Sequence, residues 1–117
     1  MDERILKWLF DIKLSIDEIE SFFGDEEKDF FKYRTNIMLK RAVERNLEII
    51  GEAVNRIITR DVVFAEQISN SKAIIGLRNQ VIHAYDNISD ETIWSILTNH
   101  LPKLKAEVAE LIKKGNI

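Results

Sequence analysis

The stretch of this chain whose residue types could do chemistry runs from Arg78 to Tyr85. It places a permanent cation (Arg78), an amide (Asn79), an imidazole (His83) and a phenol (Tyr85) within about two helical turns. Ile74, Ile75 and Leu77 lie on one side of it and Ile88 on the other, and a polar cluster in an apolar segment costs free energy unless its groups are paired or used. This segment is therefore the first candidate for a functional site.

These residue types suit the cleavage of RNA by its own 2′-hydroxyl. Such a reaction needs a group that exchanges a proton near neutral pH, as histidine does. It also needs a fixed cation against the charge that grows on the phosphoryl oxygens, which arginine's planar guanidinium provides. The mechanism requires no metal cofactor, and the chain suggests none, with two histidines and no cysteine. A helical histidine near an arginine is, however, more often a structural hydrogen-bonding group, so both interpretations stay open.

Helical geometry constrains how these side chains can meet. Each residue advances about 100° around a helix, so Asn79 and His83 share a face whereas Arg78 and His83 lie about 140° apart. A site that unites the arginine with the histidine needs the helix to end near His83, or a second subunit to close the cleft. Tyr85 reaches the same cleft only if the helix has begun to unwind.

Length and composition predict one soluble globular domain over residues 1–117. Hydrophobic residues make up 45% and charged residues 32% of the chain, with no apolar run of membrane-spanning length. The net charge of −3 argues against bulk electrostatic binding of nucleic acid but leaves a local basic patch open. The charged N-terminus lacks a secretion signal, and the absence of cysteine fits a reducing compartment. We expect a cytoplasmic protein.

The chain contains only four glycines and one proline, and this scarcity of helix-breaking residues favours long helices. Apolar spacing predicts an all-α, antiparallel bundle of four to five helices. The main helices are expected from Asp2 (an N-cap) to Phe23, from Phe30 to Thr59, from Ser71 until fraying near Ala84 to Asn87, and from Ser89 to a stop at Lys113 to Gly115, with a break at Asn99 to Leu101 before Pro102. Residues 61–70 give no clear pattern, although Val62, Val63, Phe64 and Ile68 are expected to be buried.

Two surfaces of this bundle are candidates for contact with a partner. The second helix interleaves cations with acids; pairs such as Glu52 with Arg56 and Arg45 with Glu48 predict a salt-bridged face, with RNA or protein contact as the alternative. Large apolar residues also lie off the main stripes and predict further buried surface, which a homodimer would supply. They are Trp8, Phe10, Phe22 and Trp94.

The Arg-x4-His-x-Tyr spacing of Arg78, His83 and Tyr85 resembles the motif of HEPN-domain proteins, specifically the small HepT-like toxins of the MntA/HepT type. Residues 46–53, residues 76–79, and Ile93-Trp94 followed by residues 101–104 are similar to that family in the family's order. The resemblance extends from the first helix to Leu111. Departures are the stretch Asn70 to Ala73, where relatives carry a Pro-Trp sequence, and the polar pair Asp86-Asn87.

The resemblance implies a homodimer whose cleft brings the motifs together, which would resolve the geometric problem. It implies that Arg78 and His83 are the catalytic pair of a metal-independent endoribonuclease and that Asn79 orients the site. Glu52 matches a recurrent acid of the family, with a bundle salt bridge to Arg56 or Arg45 as the alternative. Tyr85 would be modified with AMP by a cognate MntA-like nucleotidyltransferase antitoxin, adding bulk and negative charge that block RNA.

Two other functions compete with the ribonuclease toxin. In the first, the chain is a non-catalytic nucleotide-binding or scaffold partner of a minimal nucleotidyltransferase, and the polar cluster holds a phosphate or docks that partner. In the second, the chain is a plain helical dimerisation module, and the cluster is structural.

Overall fold

Every regular element in the described part of the chain is helical. The computed structural model describes residues 1–24, 28–83 and 89–115, without the side chains of 77, 78 and 80–83. The elements are α1 (Glu3–Phe23), α2 (Phe30–Thr35), α3 (Ile37–Arg60), α4 (Val62–Ala65), α5 (Ser71–His83), α6 (Asp90–Ser95), a π-turn (Ile96–His100) and α7 (Leu101–Gly115). The predicted all-α class is confirmed. Within the described ranges, no helix is long and apolar enough to cross a membrane.

The long helices pack as an antiparallel bundle. Helix α1 lies against both α3 and α7, and α5 lies along α3. The directions follow from ion pairs near the helix ends: Asp2 at the start of α1 meets Arg60 at the end of α3, and Glu20 late in α1 meets Lys105 early in α7. The apolar stripes of these helices form one core. It includes Ile5, Leu9, Ile12, Ile16, Val43, Leu47, Ile50, Val54, Ile57, Leu104 and Val108.

Helix α1 begins and ends where the sequence predicts. The Asp2 side chain accepts hydrogen bonds from the backbone N–H groups of Arg4 and Ile5, at 2.8 and 3.3 Å. Gly24 then takes a φ of 61°, a left-handed conformation that suits glycine at a helix end. Asp2 and Gly24 therefore act as the predicted cap and stop.

The predicted second helix, from Phe30 to Thr59, is wrong as a single element. The structure divides it at Asn36, whose side-chain oxygen accepts a hydrogen bond from the N–H of Leu39 at 3.0 Å. Asparagine favours such a capping role because its short amide competes with the helical backbone. The break reorients α2, so that Tyr33 enters the core with 0% of its surface exposed.

The break also gives Trp94, one of the residues whose sequence positions suggest dimer contacts, aromatic partners within its own chain. Trp94 packs against Tyr33, Phe30 and Phe23, with ring centroids 5.5, 5.6 and 5.9 Å away. Helix α2 can reach this indole only because it is set off from α3. Of the aromatic residues that predicted a homodimer, Phe10 and Phe22 remain exposed.

Residues 61–70 contain a single helical turn, α4, and the prediction for them is partly wrong. Val62 and Val63 are 65% and 69% exposed, whereas Ile68 is buried as expected and Phe64 is half-buried. A four-residue turn can direct only one side inward, and here that side carries Ala65.

The last helical stretch keeps its predicted stripe, but in place of the kink or break predicted at Asn99 to Leu101 a π-turn joins α6 to α7 without interruption. Ile93, Leu97, Leu101, Leu104, Val108 and Leu111 are all buried. In this π-turn the N–H of Leu101 donates to the carbonyl of Ile96 five residues earlier. Pro102 follows directly; it lacks an N–H and crowds the preceding turn of a regular helix, which accounts for a wider turn just before it.

Candidate functional site

Helix α5 carries three of the candidate residues, Arg78, Asn79 and His83. It is continuous from Ser71 through His83, so the backbone positions of Arg78 and His83 lie about 7.5 Å apart along the axis and about 140° apart around it. Asn79 is exposed. The structure does not describe the side chains of Arg78 and His83. Tyr85 and the fraying predicted for residues 84–87 also lie outside the described residues. Their roles stay predictions.

Two contacts establish how α5 lies on α3. Near its start, Ile74 shares a cavity with Leu47 and Ile50 in the middle of α3. Beyond its end, Asp90 pairs with Lys40 near the start of α3. Helix α5 therefore runs antiparallel to α3, and its motif-bearing half lies towards the α3 start.

Glu52 lies on another side of α3. It lines a crevice between α1 and α3 with Asp11, whereas α5 packs on the side presented by Leu47 and Ile50. Helical geometry puts Glu52 about 140–160° around α3 from those two residues. Its carboxylate accepts a hydrogen bond from Arg56 at 2.6 Å. Within one chain, the structure does not bring Glu52 to α5, so a supporting role would require a second subunit.

The other cations of α3 are mostly paired, as the salt-bridge interpretation predicted. Arg45 meets Glu48 at 3.2 Å, and Arg60 meets Asp2 at 2.7 Å. Such exposed pairs contribute little to stability. Their hydrogen bonds nevertheless direct these guanidinium groups along the protein surface.

Sequence reasoning missed a polar cluster where α2, α3 and α6 meet, formed by the buried Tyr33 and the half-buried Lys40, Glu44 and Asp90. Lys40 Nζ lies 3.0 Å from Asp90 Oδ1. Burial raises the pKa of the Glu44 carboxyl, with Lys40 opposing that shift and Asp90 adding to it. Burial likewise raises the pKa of Tyr33, whose hydroxyl has no hydrogen-bond partner among the described residues. The pairing was hidden because Lys40 and Asp90 are fifty positions apart.

A cavity of about 210 Å³ lies between α3, the start of α5 and the π-turn with α7. Its floor is formed by apolar side chains, which include Leu47, Ile50, Ile74, Leu101 and Leu104. Its mouth carries polar groups, which include Ser69, Asn70, His100 and Lys103. No sequence pattern indicated this cavity, because it joins segments from three parts of the chain.

The fold and the motif-bearing helix define a small all-α bundle protein with an Arg-x4-His sequence on α5. A family model described as "Ribonuclease HepT-like" matches residues 12–111. The chain belongs to this HepT-like family, as its motifs predicted.

Named relatives agree with this assignment. The chain is 40% identical over 111 residues to "Putative RNase MJ1380" of Methanocaldococcus jannaschii, covering 92% of this chain and 97% of that protein. It is 33% identical to "Putative RNase MJ0125" of the same organism, covering 97% and 96%. It is 30% identical to "Probable ribonuclease HepT" of Thermococcus cleftensis, covering 91% and 94%. No solved structure gives a significant match.

Proposed function

We propose that this chain is the toxin of a toxin–antitoxin pair and acts as an endoribonuclease. The observation that carries the proposal is the family match over residues 12–111 in a chain with the Arg-x4-His-x-Tyr spacing. Relatives of nearly the same length are named as ribonucleases. RNA is accordingly the proposed substrate, and Arg78 and His83 are the proposed catalytic residues.

In the proposed reaction, the 2′-oxygen of one nucleotide attacks the adjacent phosphorus. The P–O2′ bond forms and the P–O5′ bond breaks, which leaves a 2′,3′-cyclic phosphate and a 5′-hydroxyl. A proton leaves the 2′-oxygen and one reaches the 5′-oxygen, and the His83 imidazole is the group suited to transfer it. The Arg78 guanidinium would stabilise the negative charge on the phosphoryl oxygens. No metal takes part in these steps.

A homodimer is part of the proposal because of the helix geometry. Arg78 and His83 lie about 140° apart around α5, so a second subunit that closes over the helix end would bring an arginine and a histidine to one phosphate. Asn79, which is exposed on the His83 face, would orient the site. Glu52 would take a supporting role from the partner's side of such a cleft.

Cleavage of RNA by the purified protein in the presence of EDTA tests the enzyme. We expect cleavage products with 2′,3′-cyclic phosphate ends, loss of cleavage in His83→Ala, and loss of growth arrest when that variant is expressed. Arg78→Ala should lose cleavage as well, whereas Arg4→Ala, at the exposed start of α1, is the matched control that should keep it. Retained toxicity in His83→Ala would contradict the proposal.

We also propose that a cognate MntA-like nucleotidyltransferase antitoxin modifies Tyr85 with AMP. The phenol oxygen would attack the α-phosphorus of ATP, and pyrophosphate would leave. The structure supplies a useful contrast, because the chain has two tyrosines and Tyr33 is buried with 0% of its surface exposed. Intact mass after co-expression with a neighbouring nucleotidyltransferase should rise by one or more AMP units. Tyr85→Phe should abolish this gain, and Tyr33→Phe should not.

A non-catalytic scaffold for the nucleotidyltransferase is the second candidate. The angular separation of Arg78 and His83 within one chain favours it, because isolated chains would not direct both groups to one phosphate. This alternative predicts that RNA stays intact with the purified protein. Binding of a nucleotide or of the nucleotidyltransferase would instead fall in Arg78→Ala.

A further inference from the structure

The cavity between α3, α5 and α7 has the size and lining of a site for one flat aromatic group. Its volume of about 210 Å³ exceeds the roughly 150 Å³ at which an apolar protein cavity binds benzene. Leu47, Ile50, Ile74 and Leu104 provide apolar surface on several sides. Such a lining favours binding of an aromatic ring, because burying the ring removes apolar surface from water. It provides no hydrogen-bonding groups for a strongly hydrated ligand.

The mouth of the cavity adds polar groups suited to a phosphate-bearing ligand. Lys103 and the His100 imidazole are both exposed there, and neither forms an ion pair within residues 1–24, 28–83 and 89–115. The one carboxylate among the lining residues, Glu107, accepts hydrogen bonds at this same mouth from the hydroxyl and the N–H of Ser69, at 2.7 and 3.1 Å. The mouth therefore presents the Lys103 ammonium, with the Glu107 carboxylate fixed beside it by Ser69.

The cavity lies on the same helix as the proposed catalytic motif. Ile74 lines it, and Arg78 is four residues further along the same continuous helix, on the same face and about 6 Å along the axis. One nucleotide spans a comparable distance along a single strand. A group held in the cavity would thus belong to a nucleotide near the proposed scissile phosphate.

We propose that this cavity is a subsite for an unstacked RNA base, with Lys103 contacting the adjacent phosphate. The inference rests on the proposed function in that it takes RNA as the ligand. Proteins that hold an unstacked base place it between aromatic or apolar side chains, and cations contact the nucleic-acid backbone beside it. The cavity and its mouth offer that combination in one place.

Binding of a 2′-O-methyl RNA octamer of mixed sequence tests the subsite without cleavage, because the attacking hydroxyl is blocked. An octamer with abasic positions serves as the comparison, and fluorescence anisotropy reports both. Ala73→Phe places a ring in the cavity mouth from an exposed position, and we expect it to weaken binding of the base-bearing octamer about tenfold, towards the abasic value. Ala109→Phe, on the exposed side of α7, is the matched control and should leave both affinities unchanged.

The salt dependence of RNA binding tests the proposed phosphate contact of Lys103. Lys103→Gln should weaken binding of both octamers and reduce the slope of log affinity against log salt by about 0.7, the value for one contact on a single strand. Lys113→Gln, exposed later on the same helix, should leave that slope unchanged. Equal effects of the two lysine variants would overturn the phosphate contact.

A cross-linking experiment removes any dependence on folding of the variants. RNA carrying 4-thiouridine, irradiated with the unmodified chain, should attach to cavity residues such as Ile74 or Leu101. Adducts found only elsewhere would overturn the subsite. Unchanged RNA binding in Ala73→Phe together with loss of self-association or partner binding would also overturn it, in favour of a protein side chain as occupant. Absence of cleavage with base-dependent binding intact would refute the proposed enzyme and leave the subsite standing.

Discussion

Lys40 and Asp90 form an ion pair across fifty positions of sequence, with Nζ 3.0 Å from Oδ1 and 3.2 Å from Oδ2. Their side chains are 28% and 26% exposed, so the pair is partly withdrawn from water. Lys40 stands near the start of α3 and Asp90 begins α6. The pair therefore joins the start of α6 to the first turn of α3.

Breaking this pair should destabilise the fold. We expect Lys40→Gln and Asp90→Asn each to lower the free energy of unfolding by about 1 kcal/mol, since a half-buried charge loses its partner. Urea denaturation of the single and double variants gives the coupling between the two side chains. Lys7→Gln breaks the exposed Lys7–Asp11 pair and should cost about 0.3–0.5 kcal/mol. Strictly additive effects of the Lys40 and Asp90 substitutions would contradict a coupled pair.

Glu44 should make stability depend on pH. Burial raises the pKa of its carboxyl above the ordinary value of 4.5; Lys40 and Arg41 oppose this shift, while Asp90 and Glu48 add to it. Because the pKa of Glu44 is higher in the folded than in the unfolded chain, protonated Glu44 favours the folded state. This contribution to the free energy of unfolding is complete below the unfolded-state pKa and is lost as pH rises through the folded-state pKa.

Glu44→Gln removes this loss. The variant should gain stability relative to the unmodified protein as pH rises from about 4 towards neutrality, because its amide carries no charge to bury. Free energies of unfolding measured in urea across that range provide the comparison. A constant difference between the two proteins at every pH would show that Glu44 does not titrate differently on folding.

The Tyr33 hydroxyl should be dispensable for stability. It is buried without a hydrogen-bond partner in the described part of the chain, and such a group costs free energy. Tyr33→Phe should therefore leave the free energy of unfolding unchanged or raise it by about 1 kcal/mol. Tyr33→Leu, which loses the ring contact with Trp94, should lower it by about 1–3 kcal/mol. Equal destabilisation by both substitutions would indicate that the hydroxyl has a partner.

Two substitutions separate the structural role of Glu52 from its proposed role in a dimer cleft. Glu52 and Arg56 are 43% and 54% exposed, so Glu52→Gln and Arg56→Gln should each cost about 0.3–0.5 kcal/mol of stability. If Glu52 supports the site, RNA cleavage should fall in Glu52→Gln and persist in Arg56→Gln. Full cleavage activity in both variants would restrict Glu52 to its ion pair.

Much of the fold could be predicted because apolar spacing and capping residues act locally. Ile5 to Ile19 form one stripe of α1, Asp2 caps it and Gly24 ends it, all as expected. An irregularity before Pro102 could also be predicted, because proline lacks the N–H that a regular helix needs, but the structure shows a π-turn there and no break. The family, too, was evident from motifs in register.

Tertiary contacts decided what local patterns could not. Asn36 divides a periodic stretch because α2 must turn to place Tyr33 against Trp94. The side of α3 that Glu52 occupies, the Lys40–Asp90 pair and the cavity beside Ile74 all depend on which helices meet. Residue types and spacing thus determined the helices and the candidate chemistry. Packing determined which polar groups from distant parts of the chain share a surface, because it joins residues that are far apart in sequence.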